Sequence, residues 1–486
     1  MSDSDNNCNQ NIPDPENTIP EPERKKTMTL SIIEGSIAGI TISMADNYMI
    51  PFGLFLGITG VGIGVIASFN GLLSPIGQII GSNLMEKQSR KKILTNWVMT
   101  QSLIWISLIV LTFAFVNSWV LKGLSLIFFS LYILYIVFGA IVGPSWFSLM
   151  ADVVPNNIRG EYFGKRNFYA SIVGLVFVYT FSILLDHFKL IDNLAIGFII
   201  IFGFCFVMRQ ISIILLKKHY YPYVIYEKKG HVKLSSFFSN LTKTNFGRFC
   251  MFVALINMGQ AIAGPFFSVY MLTELNFTYE IYALIVLSNS VVAILVFPIG
   301  GKLSDKYGNI NVLKFGAVII PLLPLMWIFL SEPFALMVGP QLLGGIGWTM
   351  FNLAAIPPKQ RGYYLAYYNL LIGIGLFFGS LIGSIIFQLM EPYNLSFKAV
   401  FLVSSLFRAA VVIFLISKIK EIREKIQIQQ PKIQGKKVPI TKLQTTSFHR
   451  GTHLSLGWGR LKINRKNITK YTEEQCEDRL NDQFKK

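Results

Sequence analysis

The stretch Gly301-Lys302-Leu303-Ser304-Asp305-Lys306-Tyr307-Gly308 separates two long apolar runs, and a degraded copy of it lies in the first half of the chain. The earlier copy reads Ser82-Asn83-Leu84-Met85-Glu86-Lys87-Gln88-Ser89-Arg90-Lys91-Lys92. A short charged loop at the same place in two apolar halves marks a duplicated membrane bundle. Bundles of this kind move solutes by rocking one half against the other.

Other residues repeat in the same order. At one offset Gly143 meets Gly345, Trp146 meets Trp348, Pro155 meets Pro357, Arg159-Gly160 meets Arg361-Gly362, and Asn167 meets Asn369. At a second offset Asn70 meets Asn289, Glu86 meets Asp305 and Lys87 meets Lys306. At a third, Pro51-Phe52 meets Pro265-Phe266. Loops of unequal length account for the changing offset.

The chain of 486 residues is 52% hydrophobic and 14% charged, too apolar for a soluble protein. Apolar windows recur at 29–54, 59–82, 93–115, 121–149, 166–185, 194–216, 249–272, 281–300, 312–330, 334–354, 363–389 and 398–417. Each is about 20 residues or more, the length that crosses about 30 Å of hydrocarbon. The expected fold is therefore an all-α integral membrane protein, with twelve transmembrane helices in two pseudo-symmetric six-helix halves. Its expected parts are a disordered N-terminus over 1–27 and a first half over 28–216. A linker over 217–248, a second half over 249–418 and a basic tail over 419–486 follow. The polar, acidic residues 1–23 are no cleavable signal, so the first span itself would direct insertion.

Lys and Arg concentrate in alternate loops and at both termini, whereas the intervening loops hold only Lys122, Lys189 and Lys398. The positive-inside rule then places both termini in the cytoplasm of a plasma-membrane protein. The net charge of +18 needs no nucleic acid. It lines the cytoplasmic face and the tail, where anionic lipids are the expected partner. No aromatic-basic nucleic-acid module surrounds these charges. The four cysteines, Cys8, Cys205, Cys250 and Cys476, form neither a disulfide framework nor a metal spacing.

The Gly301–Gly308 segment resembles the loop between helices 8 and 9 of the major facilitator superfamily, which has Gly, Leu, Asp, a basic residue, Gly and further basic residues. The same pattern is expected between helices 2 and 3, where this chain has Glu86 for the acid, Ser89 for the second glycine, and Arg90-Lys91-Lys92. Neither copy is complete, since the later one ends in Asn309-Ile310-Asn311. Pro144-Ser145-Trp146, Ala151-Asp152, Pro155 and Arg159-Gly160 also look like a pattern of prokaryotic members. The resemblance covers roughly residues 28–418 and implies the fold, not the substrate. It implies a gating role for Glu86, Lys87, Arg90, Asp152, Gly301, Asp305, Lys306 and Gly308. A loop carboxylate there faces the N-terminus of a helix from the other half and meets its dipole and free N–H groups. Asp305 is expected to do so toward helix 5, Glu86 toward helix 11, with Arg90 bridging to Asp152. The plain alternative is solvated loop charge.

Polar residues inside spans supply the candidate binding groups, because a charge at mid-membrane usually faces a cavity or a partner. Asp46 in helix 1 reads as a proton or cation site, or as an interfacial carboxylate ahead of Pro51. Gln260 is its repeat partner in helix 7. Asn70 and Asn289 read as substrate contacts or as interhelical hydrogen bonds. Asn257, Gln341 and Trp348 complete the candidates, Trp348 reading also as an interfacial anchor. Glu34, near the inner end of helix 1, is expected to reach water. Arg209 and Arg408 are expected to be paired structurally or to snorkel.

No phosphate-binding loop, metal-spaced His-Glu pair or nucleophile elbow occurs, so no enzyme activity, cofactor or metal is expected. The reading is a secondary transporter of a small solute, coupled to a proton or cation. The alternatives are an exporter of amphipathic compounds and a non-transporting sensor or assembly factor.

Overall fold

Twelve helices are long and apolar enough to cross a membrane, and no strand occurs among the described residues. The computed structural model describes residues 19–119, 123–155, 157–222, 241–354 and 362–419, without the side chains of Asp305, Leu353, Ala354 and residues 362–367. The first six spans are α1 (Glu21–Phe55), α2 (Gly60–Met85), α3 (Arg90–Val116), α4 (Leu124–Val153), α5 (Arg159–Leu190) and α6 (Leu194–Lys217). The second six are α7 (Asn245–Glu274), α8 (Tyr279–Tyr307), α9 (Asn309–Phe329), α10 (Pro333–Asn352), α11 (Gly362–Met390) and α12 (Ser396–Leu415). An even number of spans puts the two described ends on one face, the terminal face; the opposite face is the far face.

The duplication is visible as a repeated pattern of neighbours. In the first half α1 packs on α5 and α6, α2 on α4, and α3 on α4 and α6. In the second half α7 packs on α11 and α12, α8 on α10, and α9 on α10 and α12. Adding six to each partner in the first set yields the second. The halves meet through α2 against α11 and α5 against α8, again a related pair.

The sequence shows why the helices begin and end there. Ser89, Thr244 and Thr278 cap α3, α7 and α8, each accepting a hydrogen bond from a backbone N–H two or three residues inside the helix. The far-face turns are tight. Ser118, Asp192, Asn276 and Asn394 all adopt positive φ there, three of them Asx residues that tolerate it. At the terminal face α8 runs on to Tyr307, and the only residue between it and α9 is Gly308, at φ 91° and ψ 151°. That conformation is essentially restricted to glycine. The expected loop over 301–308 is thus mostly helix, because its Leu303 packs on the second-half core and keeps the turn wound.

The N-terminal boundary also differs from expectation. Residues 21–27, read as disordered, form the first two turns of α1. Pro22 sits at the start of the helix, where its missing N–H costs nothing, and Glu21 and Glu23 occupy the first turn near the positive end of the dipole. Glu21 also pairs with Arg24 and Lys25, at 3.4 Å each.

Prolines inside the spans free carbonyls four residues earlier, and in a membrane another group must satisfy them. Pro51 frees Asn47 O, which accepts from Tyr282 Oη of α8 at 3.1 Å. Pro265 frees Ala261 O, which accepts from Ser380 Oγ of α11 at 3.3 Å. Pro324 frees Ile320 O at the break in α9, and Arg408 Nη1 of α12 donates to it at 3.2 Å. Arg408 is 1% exposed, so it is paired with backbone and does not snorkel. Arg209 likewise donates to Gln101 Oε1 at 2.6 Å, linking α6 to α3.

Candidate functional site: two clefts that share Asp46

Two cavities lie at the centre of the bundle. The larger, about 640 Å3, opens between α2 and α11 and is walled by α1, α4 and α7. The other, about 510 Å3, lies between α1, α5 and α8. Both fall in the range of small-molecule sites, roughly 300–1,000 Å3. Asp46 lines both.

Helix periodicity explains this placement. Ala45 and Met49, on either side of Asp46, face the buried core and the first cleft, while Ser43 and Asn47 turn toward the second. The carboxylate falls between the two faces. Asp46 makes no hydrogen bond or ion pair among the described residues, and its side chain is open to the cavity.

The larger cleft brings Asp46, Asn70 and Gln260 together. It adds residues that sequence reasoning did not select: Ser74 and Gln78 of α2, Tyr132 of α4, Ser268 of α7 and Asn369 of α11. Asn369 carried a signal, since it is the repeat partner of Asn167. What the sequence lacked was the α2–α11 pairing that turns it inward. Asn289 lines the second cleft and donates to Gln341 O at 3.1 Å, so it serves both the cavity and the α8–α10 packing. Asn257, the Gln341 side chain and Trp348 line neither cleft. Asn257 turns back to Val253 O at 2.8 Å, and Trp348 packs edge-on against Phe351.

Both clefts are closed at the far face by contacts between the halves. Asp186, in the last turn of α5, accepts from the N–H groups of Tyr279 and Glu280 at the start of α8, at 2.8 and 2.7 Å. Those two donors have no partner within the helix. Tyr179 donates to Glu280 Oε1 at 2.8 Å, and Lys189 lies over the Tyr279 ring at 5.6 Å. Between α2 and α11 the backbones nearly touch. Midway along both helices a Cβ on Gly373 would come 2.2 Å from Gly71 O. Toward the far face one on Gly64 would come 2.1 Å from the Ser384 side-chain Oγ, and one on Gly60 2.9 Å from the Phe387 ring. Only glycine permits this approach.

At the terminal face, Arg90 donates to Asp152 Oδ2 at 2.5 Å, to Ser148 Oγ at 3.2 Å and to Pro222 O at 2.8 Å. Glu86 and Lys87 are exposed, and Glu86 has no side-chain partner among the described residues. Lys306 lies over the Tyr307 ring at 5.0 Å, Gly301 sits within α8, and the Asp305 side chain lies outside the described residues.

Glu34 does not reach water. It is 4% exposed, 3.5 Å from Arg166 Nη2, and accepts from Ser212 Oγ at 2.8 Å. Arg166 also covers the Trp146 ring at 4.1 Å and donates to Ser31 O. Gly35 leaves room for the guanidinium, since a Cβ there would come 2.6 Å from it. The group ties α1, α4, α5 and α6 into a rigid half. The segment after α6 packs on it: Tyr220 N donates to Thr27 Oγ1, and burial lowers the pKa of His219 from its usual value. Among the described residues no group of three or more His, Cys, Asp or Glu is placed to hold a metal.

The Major Facilitator Superfamily profile matches residues 27–356 and 249–466. Over 118 residues the chain is 27% identical to the riboflavin transporter RibZ of Clostridioides difficile (strain 630). That match spans 22% of this chain and about a quarter, 26%, of the relative's length. Solved structures are similar over most of their length. The nucleoside transporter NupG superposes with a TM-score of 0.57 at 15% identity, covering 82% of this chain and 100% of NupG. The E. coli fucose:proton symporter FucP gives 0.54 at 13%, covering 81% and 98%. A bacterial homologue of the human lysosomal transporter Spinster, inward-facing and unoccupied, gives 0.53 at 11%, covering 82% and 96%. At such identities the likeness concerns the fold.

Proposed function

The chain belongs to the Major Facilitator Superfamily, and from that premise we propose that it carries a small solute by alternately closing the two faces of its central clefts, with Asp46 binding a proton or cation. It is an integral membrane transporter; the coupling and the cycle are the proposal.

The observation that carries the reading is Asp46. A carboxylate within a membrane span is costly unless it has a partner or a function. Here it has no protein partner among the described residues and faces both clefts. A group reached from two cavities between the moving halves is suited to load and release a cation as access changes sides. Closure at the far face through Asp186, Tyr179, Tyr282 and the α2–α11 glycines supplies one end state. The terminal-face groups Glu86, Lys87, Arg90, Asp152, Gly301, Asp305, Lys306 and Gly308 would close the other, and Asp305→Asn would weaken that closure.

The Lys and Arg asymmetry makes the terminal face cytoplasmic, with the tail over 419–486 against anionic lipid of the plasma membrane. Reconstitution into liposomes, with a solute panel tested with and without an imposed pH or sodium gradient, examines the reading. Gradient-dependent accumulation of one solute supports it. Uptake that ignores every gradient removes the coupling, and no uptake of any solute removes the transport reading.

A further inference from the structure

We propose that the α2–α11 cleft selects solutes by charge: it takes uncharged or cationic solutes read by hydrogen bonds and rejects carboxylates and phosphates. The inference rests on the transporter reading for its purpose, but not for its test.

Among the described residues the lining carries one acid and no basic residue: Asp46 is the acid, Tyr132 is a neutral phenol, and no described Lys, Arg or His borders the cleft. None of the buried guanidiniums Arg166, Arg209 and Arg408 lines the cleft. Arg166 is held by Glu34 and Ser31 O, and Arg209 by Gln101. Arg408 donates through Nη1 to Ile320 O, its Nε and Nη2 being buried without a partner among the described residues. An anion entering the cleft would therefore meet an uncompensated negative charge and no cation. At about 6 Å and an effective dielectric of about 20, that repulsion corresponds to roughly 100-fold weaker binding.

The rest of the lining is built for hydrogen bonds. Asp46 of α1, Asn70 of α2, Gln260 of α7 and Asn369 of α11 have no side-chain hydrogen bond among the described residues. Four unsatisfied polar groups from four helices face one space. Three are primary amides, each able to donate and accept, and one is a carboxylate that only accepts. They suit a solute carrying hydroxyl, amide or ring-nitrogen groups. Among the described residues Tyr132 is the only aromatic one in the lining, which offers little stacking surface for a flat apolar compound.

The direct test needs no known substrate. In a variant whose native cysteines are replaced by serine, Asn70→Cys places a thiol in the cleft. Its labelling rates by a cationic, an anionic and an uncharged methanethiosulfonate reagent are compared, each normalised to a free thiol. Relative to the uncharged methanethiosulfonate, the anionic reagent should be slower by about 100-fold and the cationic one faster, both differences falling toward unity when Asp46→Asn is added. Equal normalised rates with Asp46 present overturn the proposal, as do differences that survive Asp46→Asn.

A binding panel supplies the second arm, with glucose paired to gluconate, uridine to its monophosphate and riboflavin to its phosphate. Thermal stabilisation by uncharged members alone, weakened about tenfold by Asn369→Ala, supports the proposal. Stabilisation by an anionic member whose uncharged counterpart is silent overturns it, and so does a panel silent throughout. An uncharged solute that binds without crossing the membrane counts against transport and leaves the charge rule standing.

Discussion

Replacing Asp186 with Asn should open the far face. The side chain accepts two backbone hydrogen bonds at the start of α8, at 2.8 and 2.7 Å, and so joins the halves where the clefts are shut. A carboxylate at a helix N-terminus contributes about 0.3–1 kcal/mol when exposed and up to about 2 when partly buried. Asp186 is half-buried, and Asn retains one acceptor oxygen. The loss is therefore about 1–2 kcal/mol, a factor of roughly 5–30 in the ratio of far-closed to far-open molecules. The thiol of Asn70→Cys, on the cleft wall, reports that ratio through its labelling by an impermeant reagent applied at the far face. Asp186→Asn should raise the far-face labelling rate about 5–30-fold and lower the rate from the terminal face. Unchanged rates from both sides would refute the latch and reduce Asp186 to an ordinary helix-end residue.

Gly373→Val should act in the same direction by steric means. Its Cβ would fall 2.2 Å from Gly71 O, a backbone atom that can yield only if α2 and α11 separate. Far-face labelling in Gly373→Val should rise, and no change would mean that the two helices do not close the cleft. Glu34→Gln leaves Arg166 buried without its carboxylate, and breaking a buried pair costs about 3–5 kcal/mol. A large fall in the thermal unfolding temperature in detergent is expected; an unchanged one would show that Trp146 and Ser31 suffice to hold the guanidinium. For topology, thiols introduced at Ser89 and Asn394 should be labelled from opposite sides of sealed cells, Ser89 from the cytoplasm. Equal labelling of both would contradict the orientation.

The sequence carried the fold because the bilayer imposes it. Apolar windows of sufficient length and a repeated charged loop leave few alternatives, and the repeat of neighbours between the halves follows from the same duplication. Boundaries were less legible. Residues 21–27 look disordered by composition, yet Pro22 and the acidic first turn start α1 there. Glu34 was misread because its partner, Arg166, stands on another helix and shows no local spacing. Asp46, Asn70 and Gln260 could be picked out as polar groups in apolar spans. Asn369 is marked in the sequence only by its match to Asn167, and Asp186, an acid at a helix end, has an ordinary local explanation. Their placement depends on α2 meeting α11 and α5 meeting α8, which neither composition nor periodicity states. Asn257 shows the converse, a polar residue in a span whose side chain is spent on its own helix.

The central claim is that Asp46 couples solute movement to a cation. Asp46→Asn keeps the size and one acceptor of the side chain but removes its charge. The decisive measurement uses proteoliposomes and a solute found in the gradient screen, and records accumulation under an imposed gradient beside exchange at equal concentrations. The account predicts that Asp46→Asn loses accumulation and retains exchange. Wild-type accumulation in Asp46→Asn would contradict it, and the cation site would then have to be sought elsewhere in the bundle.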